Sequence, residues 1–87
     1  MKTSERKLAV IMFADIVGYT ALMQRDENQA LNARSRHKEA VESAAASHGG
    51  EIVQFYGDGV LLLFSSALEA VGAATEMQRA LRTEPII

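Results

Sequence analysis

Two hydrophobic periods alternate along this chain. Leu8-Ala9-Val10-Ile11-Met12-Phe13-Ala14 is an unbroken apolar run that stops at Asp15. It is short, contains Val, Ile and Phe, and runs into a glycine-containing segment, which predicts a buried strand. Val17 to Arg25 predicts a short helix entered through a tight turn at Gly18. Asp26-Glu27-Asn28-Gln29 has the form of a capping box, and helix formers follow as far as Ser47. Leu31, Arg34, Lys38, Val41, Ala45 and His48 fall on one line of that helix, and Gly49-Gly50 ends it.

The period then returns to that of strands. Glu51-Ile52-Val53-Gln54-Phe55-Tyr56 and Val60-Leu61-Leu62-Leu63-Phe64 flank Gly57-Asp58-Gly59. A Gly-Asp-Gly between two β-prone runs predicts a hairpin, with Asp-Gly suited to a type I′ turn. The second run is apolar on both faces, which predicts a central strand. Ser66-Ala67-Leu68-Glu69 is a second capping box. It opens a helix striped by Ala67, Ala70, Val71, Ala74, Met77, Gln78 and Leu81, and Pro85 ends the pattern. The predicted order is β-α-α-β-β-α. This is an α+β arrangement: a ferredoxin-like βαββαβ sheet, helices on one face, lacking its last strand. A right-handed crossover makes the first two strands parallel. The end of the first strand and the hairpin turn then share one edge of the sheet, and Asp15 and Asp58 sit at those two places.

Composition narrows the chemistry. The 87 residues suffice for one small domain, and an apolar fraction of 48% reads as globular. A formal charge of −2 gives no general affinity for nucleic acid or anionic lipid. Without cysteine there are neither disulfides nor thiolate metal sites, which suits a reducing, cytoplasmic setting. No apolar run is long enough to span a bilayer, so no membrane segment is expected in this stretch.

Two carboxylates at a shared loop edge beside glycine-rich backbone suit Mg²⁺ or Mn²⁺, hard cations that prefer oxygen. The Ile16 carbonyl is a third candidate donor. Val17-Gly18-Tyr19-Thr20 opens a helix whose free N–H groups can hold phosphate. Taken singly, Asp58 reads first as a turn residue, and Asp15 equally as a helix cap. The pair says more than either one. His37 and His48 have no ligand-spaced partner and read as packing or surface residues. Arg34, Arg36 and Lys38 read as a solvated charge cluster, and Met12, Met23 and Met77 as core.

Two stretches resemble the signatures of class III adenylyl and guanylyl cyclases. Phe13-Ala14-Asp15-Ile16-Val17-Gly18-Tyr19-Thr20 is similar to F-x-D-I-x-G-[FY]-T. Gly50-Glu51-Ile52-Val53-Gln54-Phe55-Tyr56-Gly57-Asp58-Gly59 is similar to G-x-x-x-K-x-x-G-D. The resemblance runs from Leu8 onward and implies the N-terminal portion of a nucleotidyl cyclase catalytic domain over residues 1–87, with 1–6 as a flexible lead. It implies Asp15 and Asp58 as catalytic, metal-binding aspartates and Ile16 as a carbonyl ligand. Two Mg²⁺ or Mn²⁺ ions would serve each complete site. Val17, Gly18, Tyr19 and Thr20 would receive the triphosphate. Gln54 stands where the family selects the base, usually with Lys for adenine and Glu for guanine. Glutamine both donates and accepts hydrogen bonds, so the position suits either base. The implied reaction converts ATP or GTP to a 3′,5′-cyclic nucleotide and pyrophosphate in a dimer. The family's second base-selecting residue and its transition-state Asn and Arg have no counterpart in these 87 residues. The stretch alone is therefore expected to be inactive and to form a homo-oligomer. The alternative is an inactive metal- and nucleotide-binding or dimerisation module.

Overall fold

A computed structural model describes residues 9–82. The elements follow the expected order: β1 (Val10–Asp15), α1 (Tyr19–Arg25), α2 (Glu27–Ser47), β2 (Glu51–Tyr56), β3 (Gly59–Phe64) and α3 (Ala67–Arg82). The flexible lead expected at 1–6, and the end of the pattern at Pro85, lie outside the described residues.

The sheet runs β1-β3-β2, with β3 antiparallel to both neighbours. β1 and β2 therefore point the same way without touching, and β3 is central as its sequence predicts. Val60, Leu62 and Phe64 face the helices and are almost fully buried. They meet Val41, Ala44 and Ala45 of α2 and Ala70, Ala73 and Met77 of α3. Val10, Met12, Ala14, Ile52 and Phe55 close the edges of that core. Burying each of the large side chains contributes about 1.5–3 kcal/mol.

The helices cover one face of the sheet and leave the other open. Ile11 is 59% and Phe13 68% exposed. This corrects the expectation that β1 is a buried strand: it is covered on one face only. Here the second apolar row of β1 lies on the uncovered face, while β3 is β1's neighbour among the described residues.

Local signals mostly act as the sequence predicts, with instructive exceptions. The Asp26 carboxylate accepts from the Gln29 backbone N–H at 3.1 Å. The reciprocal half of that capping box is pre-empted, because the Asp26 N–H already donates to the Leu22 carbonyl and closes α1. The Ser66 hydroxyl likewise accepts from the Glu69 N–H at 3.1 Å. Glu69's own side chain instead lies 3.2 Å from His48 Nδ1, and Glu76 lies 3.1 Å from His48 Nε2. His48 thus ties the end of α2 to two turns of α3. The hairpin turn places its positive φ at Gly57 (55°), with none at Asp58. Those signs belong to a type II′ turn rather than the expected I′.

The buried line of α2 is Ala30, His37, Ala40, Val41, Ala44 and Ala45. This is rotated from the predicted one: Leu31 is 45% exposed and Val41 and Ala45 are shared. Alanines carry the contact because α2 lies close to the sheet and to α3, and a small side chain fits where a leucine would not. On α3 the buried line is Ala70, Ala73 and Met77, while Leu68 and Val71 point outward. Met12 and Met23, expected as core like Met77, are half-buried.

Candidate functional site

The site begins with strand register. Asp15, the last residue of β1, is paired with Gly59, the first residue of β3. Asp58 immediately precedes Gly59 in the turn. A cross-strand Cα pair is at most about 5.5 Å apart and adjacent Cα atoms about 3.8 Å, so the Asp15 and Asp58 Cα atoms lie within about 9 Å. Asp15 is exposed and Asp58 half-buried. Chain segments more than forty residues apart thus deliver two carboxylates to one end of the sheet.

Past Asp15 the chain turns sharply. Gly18 adopts the left-handed conformation (φ 73°, ψ 18°) that lets α1 start at Tyr19 with no side-chain cap. The Tyr19 N–H donates to the Ile16 carbonyl over a long 3.4 Å, which leaves that oxygen a second lone pair. Val17 is almost fully exposed, and the buried Tyr19 hydroxyl has no hydrogen-bond partner among the described residues.

The uncovered face of the sheet is ordered in three rows. Ile11, Leu63 and Glu51 form one, Phe13, Leu61 and Gln54 the next, and Asp15, Gly59 and Tyr56 the last. A register shift between Ile52 and Gln54 turns Gln54 onto this face beside Leu61. Gln54 and Asp15 therefore share a face, separated by about 12 Å from strand spacing and rise. The Tyr56 ring lies over Gly59, where a Cβ would stand 2.6 Å from it. Tyr56, two residues beyond Gln54 and on the same face, thus borders the end of the sheet that carries Asp15, a placement not drawn from the sequence.

His37, read from the sequence as a packing or surface residue, is a packing residue. It is buried in α2, and burial lowers its pKa below the usual 6.5, while the charges of Asp15 and Asp58 pull the other way. Both aspartates are therefore close enough to act on it through space. Ala30, His37 and Ala44 repeat at seven residues, which aligns them on one helix face.

As a donor set, two carboxylates and a backbone carbonyl are all oxygen and suit a hard divalent cation. Among the described residues no group of three or more His, Cys, Asp and Glu side chains could hold a metal by itself. Any ion here would need ligands from water or substrate, the usual condition of Mg²⁺ beside phosphates.

No family model matches the chain. Its sequence is 43% identical over 77 residues to the protein named "Putative adenylate cyclase 3" of Rhizobium meliloti (strain 1021). That match takes in 87% of this chain and 13% of the relative. The fold matches the crystal structure of the guanylyl cyclase Cya2 with a TM-score of 0.74 and 29% identity, over 85% of this chain and 42% of that one. The chain is a class III cyclase-like segment. This cyclase-like segment spans only a minor part of the curated relative and less than half of the structural neighbour. Among its described residues, no helix is long and apolar enough to cross a membrane.

Proposed function

We propose that this segment is the metal- and triphosphate-holding half-site of a nucleotidyl cyclase. The observation that carries the proposal is the register pairing Asp15 with Gly59, which closes the two cyclase-like motifs onto one sheet end. Similarity to an adenylate cyclase and a guanylyl cyclase supports it. In this reading Asp15, Asp58 and the Ile16 carbonyl hold Mg²⁺ or Mn²⁺. The metal supplies Lewis-acid stabilisation of the phosphates and a more acidic hydroxyl, two ions serving a complete site. The backbone of Val17, Gly18, Tyr19 and Thr20 receives the triphosphate, and Gln54 reads the base from the same face of the sheet. In the whole protein, the ribose 3′-hydroxyl would give its proton to solvent and form a bond to the α-phosphorus as the bond from that phosphorus to the β-phosphate oxygen breaks, releasing pyrophosphate.

The segment alone is inactive in this reading, because the cyclic product needs donors for charge developing in the transition state. Removing one such donor costs roughly 10²–10³-fold in rate. The open face carrying Ile11, Phe13, Leu61 and Leu63 favours assembly with a second copy, since an apolar patch of this kind is costly in water.

Calorimetry with Mn²⁺ and a non-hydrolysable triphosphate tests the proposal. Binding should be seen with the native chain and be lost in Asp15→Ala and Asp58→Ala, with the fold retained by circular dichroism. Equal binding in both variants would overturn the reading.

A further inference from the structure

The three basic residues grouped on α2 part company in the fold. Arg36 turns toward α3, into a depression shared with Ala80 and Leu81. Arg34 and Lys38, one helical turn apart, instead line a separate cavity of about 360 Å³ between α2 and the end of the β2–β3 hairpin. No carboxylate partner of either occurs among the described residues. The Lys38 ammonium lies 5.5 Å from the centroid of the Phe55 ring, a cation–π distance.

Further features make this more than a charged surface. His37 lines the same cavity, is only 8% exposed, and has no hydrogen-bond partner for its ring among the described residues. Its ring nitrogens are not among the enclosed, unpartnered polar atoms, so they open to solvent and can hydrogen-bond a ligand in the cavity that His37 lines. Leu31 and Phe55 supply an apolar wall, and Ser35 a hydroxyl. The chain as a whole is acidic, with a net charge of −2, so the positive charge here is local. The volume falls within the usual range for a single small ligand.

We infer that this cavity is a binding site for a small organic oxyanion, one carboxylate or phosphate group on a flat apolar body. Arg34 and Lys38 hold the charged group, His37 and Ser35 hydrogen-bond it, and the body lies against Phe55 and Leu31. The site is distinct from the proposed nucleotide site. Phe55 belongs to the helix-covered face of the sheet, whereas Asp15 and Gln54 belong to the open face. It contacts the turn at Gly57, one residue from Asp58.

Titration of the ¹⁵N-labelled chain with benzoate and with phenyl phosphate, in chelator without divalent cations, tests this independently of metal binding. At least one should give saturable shifts at Leu31, His37, Phe55 and Gly57, and the tighter of the two identifies the headgroup. Arg34→Gln and Lys38→Gln should each weaken binding about tenfold or more, since each removes a charge-assisted hydrogen bond. Both positions are exposed, so thermal unfolding should be unchanged in Arg34→Gln and fall by only a few degrees in Lys38→Gln, which also loses the cation–π contact with Phe55. Raising the salt concentration should weaken binding to the native chain, a second reading that does not depend on the variants. Equal affinity for benzyl alcohol would overturn the anionic assignment. Inorganic phosphate binding as tightly as phenyl phosphate would overturn the apolar one. No saturable shift with either probe, or affinities unmoved in both variants, would remove the site altogether.

Discussion

Two adjacent glycines at the end of α2 are required for different reasons, and substitution can separate them. Gly49 has a φ of 65°, and a Cβ built there meets nothing within 4 Å. Gly50 has no such constraint, but its Cβ would stand 2.4 Å from Phe64 Cε1 and 2.9 Å from Cζ. The Phe64 ring is 2% exposed at the end of the central strand and has little room to move. Gly50→Ala should therefore cost about 1–3 kcal/mol of overpacking, less about 0.4–1 kcal/mol from a stiffer unfolded chain. A net loss of about 1–2 kcal/mol corresponds to a fall in Tm of roughly 4–16 °C for a domain of this size. Gly49→Ala should cost a similar amount, about 1–2 kcal/mol, but through left-handed backbone strain. Phe64→Leu discriminates between them, because it removes the ring atoms that Gly50→Ala strikes. In a double-mutant cycle measured by urea unfolding, Phe64→Leu should rescue Gly50→Ala by about 1 kcal/mol and be additive with Gly49→Ala within about 0.5 kcal/mol. A Gly50→Ala variant as stable as the native chain, or equal coupling at both positions, would refute the reasoning.

Because burial lowers the His37 pKa, the unfolded chain takes up that proton first as the pH falls. The stability it contributes is complete above about pH 6.5 and is lost as the pH falls through the folded value. Urea unfolding between pH 7.5 and 5.5 should show this slope, and His37→Gln should flatten it. In the complete parent domain, Gln54→Lys should shift the kcat/KM ratio toward ATP and Gln54→Glu toward GTP, by the roughly 1–3 kcal/mol that an unpaired polar group costs the wrong base. An unmoved ratio in both would mean that Gln54 does not read the base. Phe13→Asp, on the open face, should convert an oligomer to monomer by light scattering without loss of helix content, and an unchanged mass would place the interface elsewhere.

The element order, the central place of β3 and the capping at Asp26 and Ser66 were legible in the chain because each depends on short-range chemistry. Periodicity, cap side chains and a glycine-rich turn act within a few residues. The meeting of Asp15 and Asp58 was also legible, since crossover handedness follows from chirality common to all chains and the short Gly-Asp turn forces an antiparallel hairpin. What needed the tertiary structure was which surface each apolar row meets. Ile11 and Phe13 look like core in sequence, yet they lie on the open face, because hydrophobicity alone does not say how many layers cover a sheet. The contacting line of α2 was misjudged for a related reason: close packing selects alanine and a buried histidine there over leucine. Arg34 and Arg36 are chemically alike and two residues apart, which on a helix turns them roughly 200° from one another. Only the placement of α3 on one side, and of the hairpin on the other, decided that one would face a helix and the other a cavity.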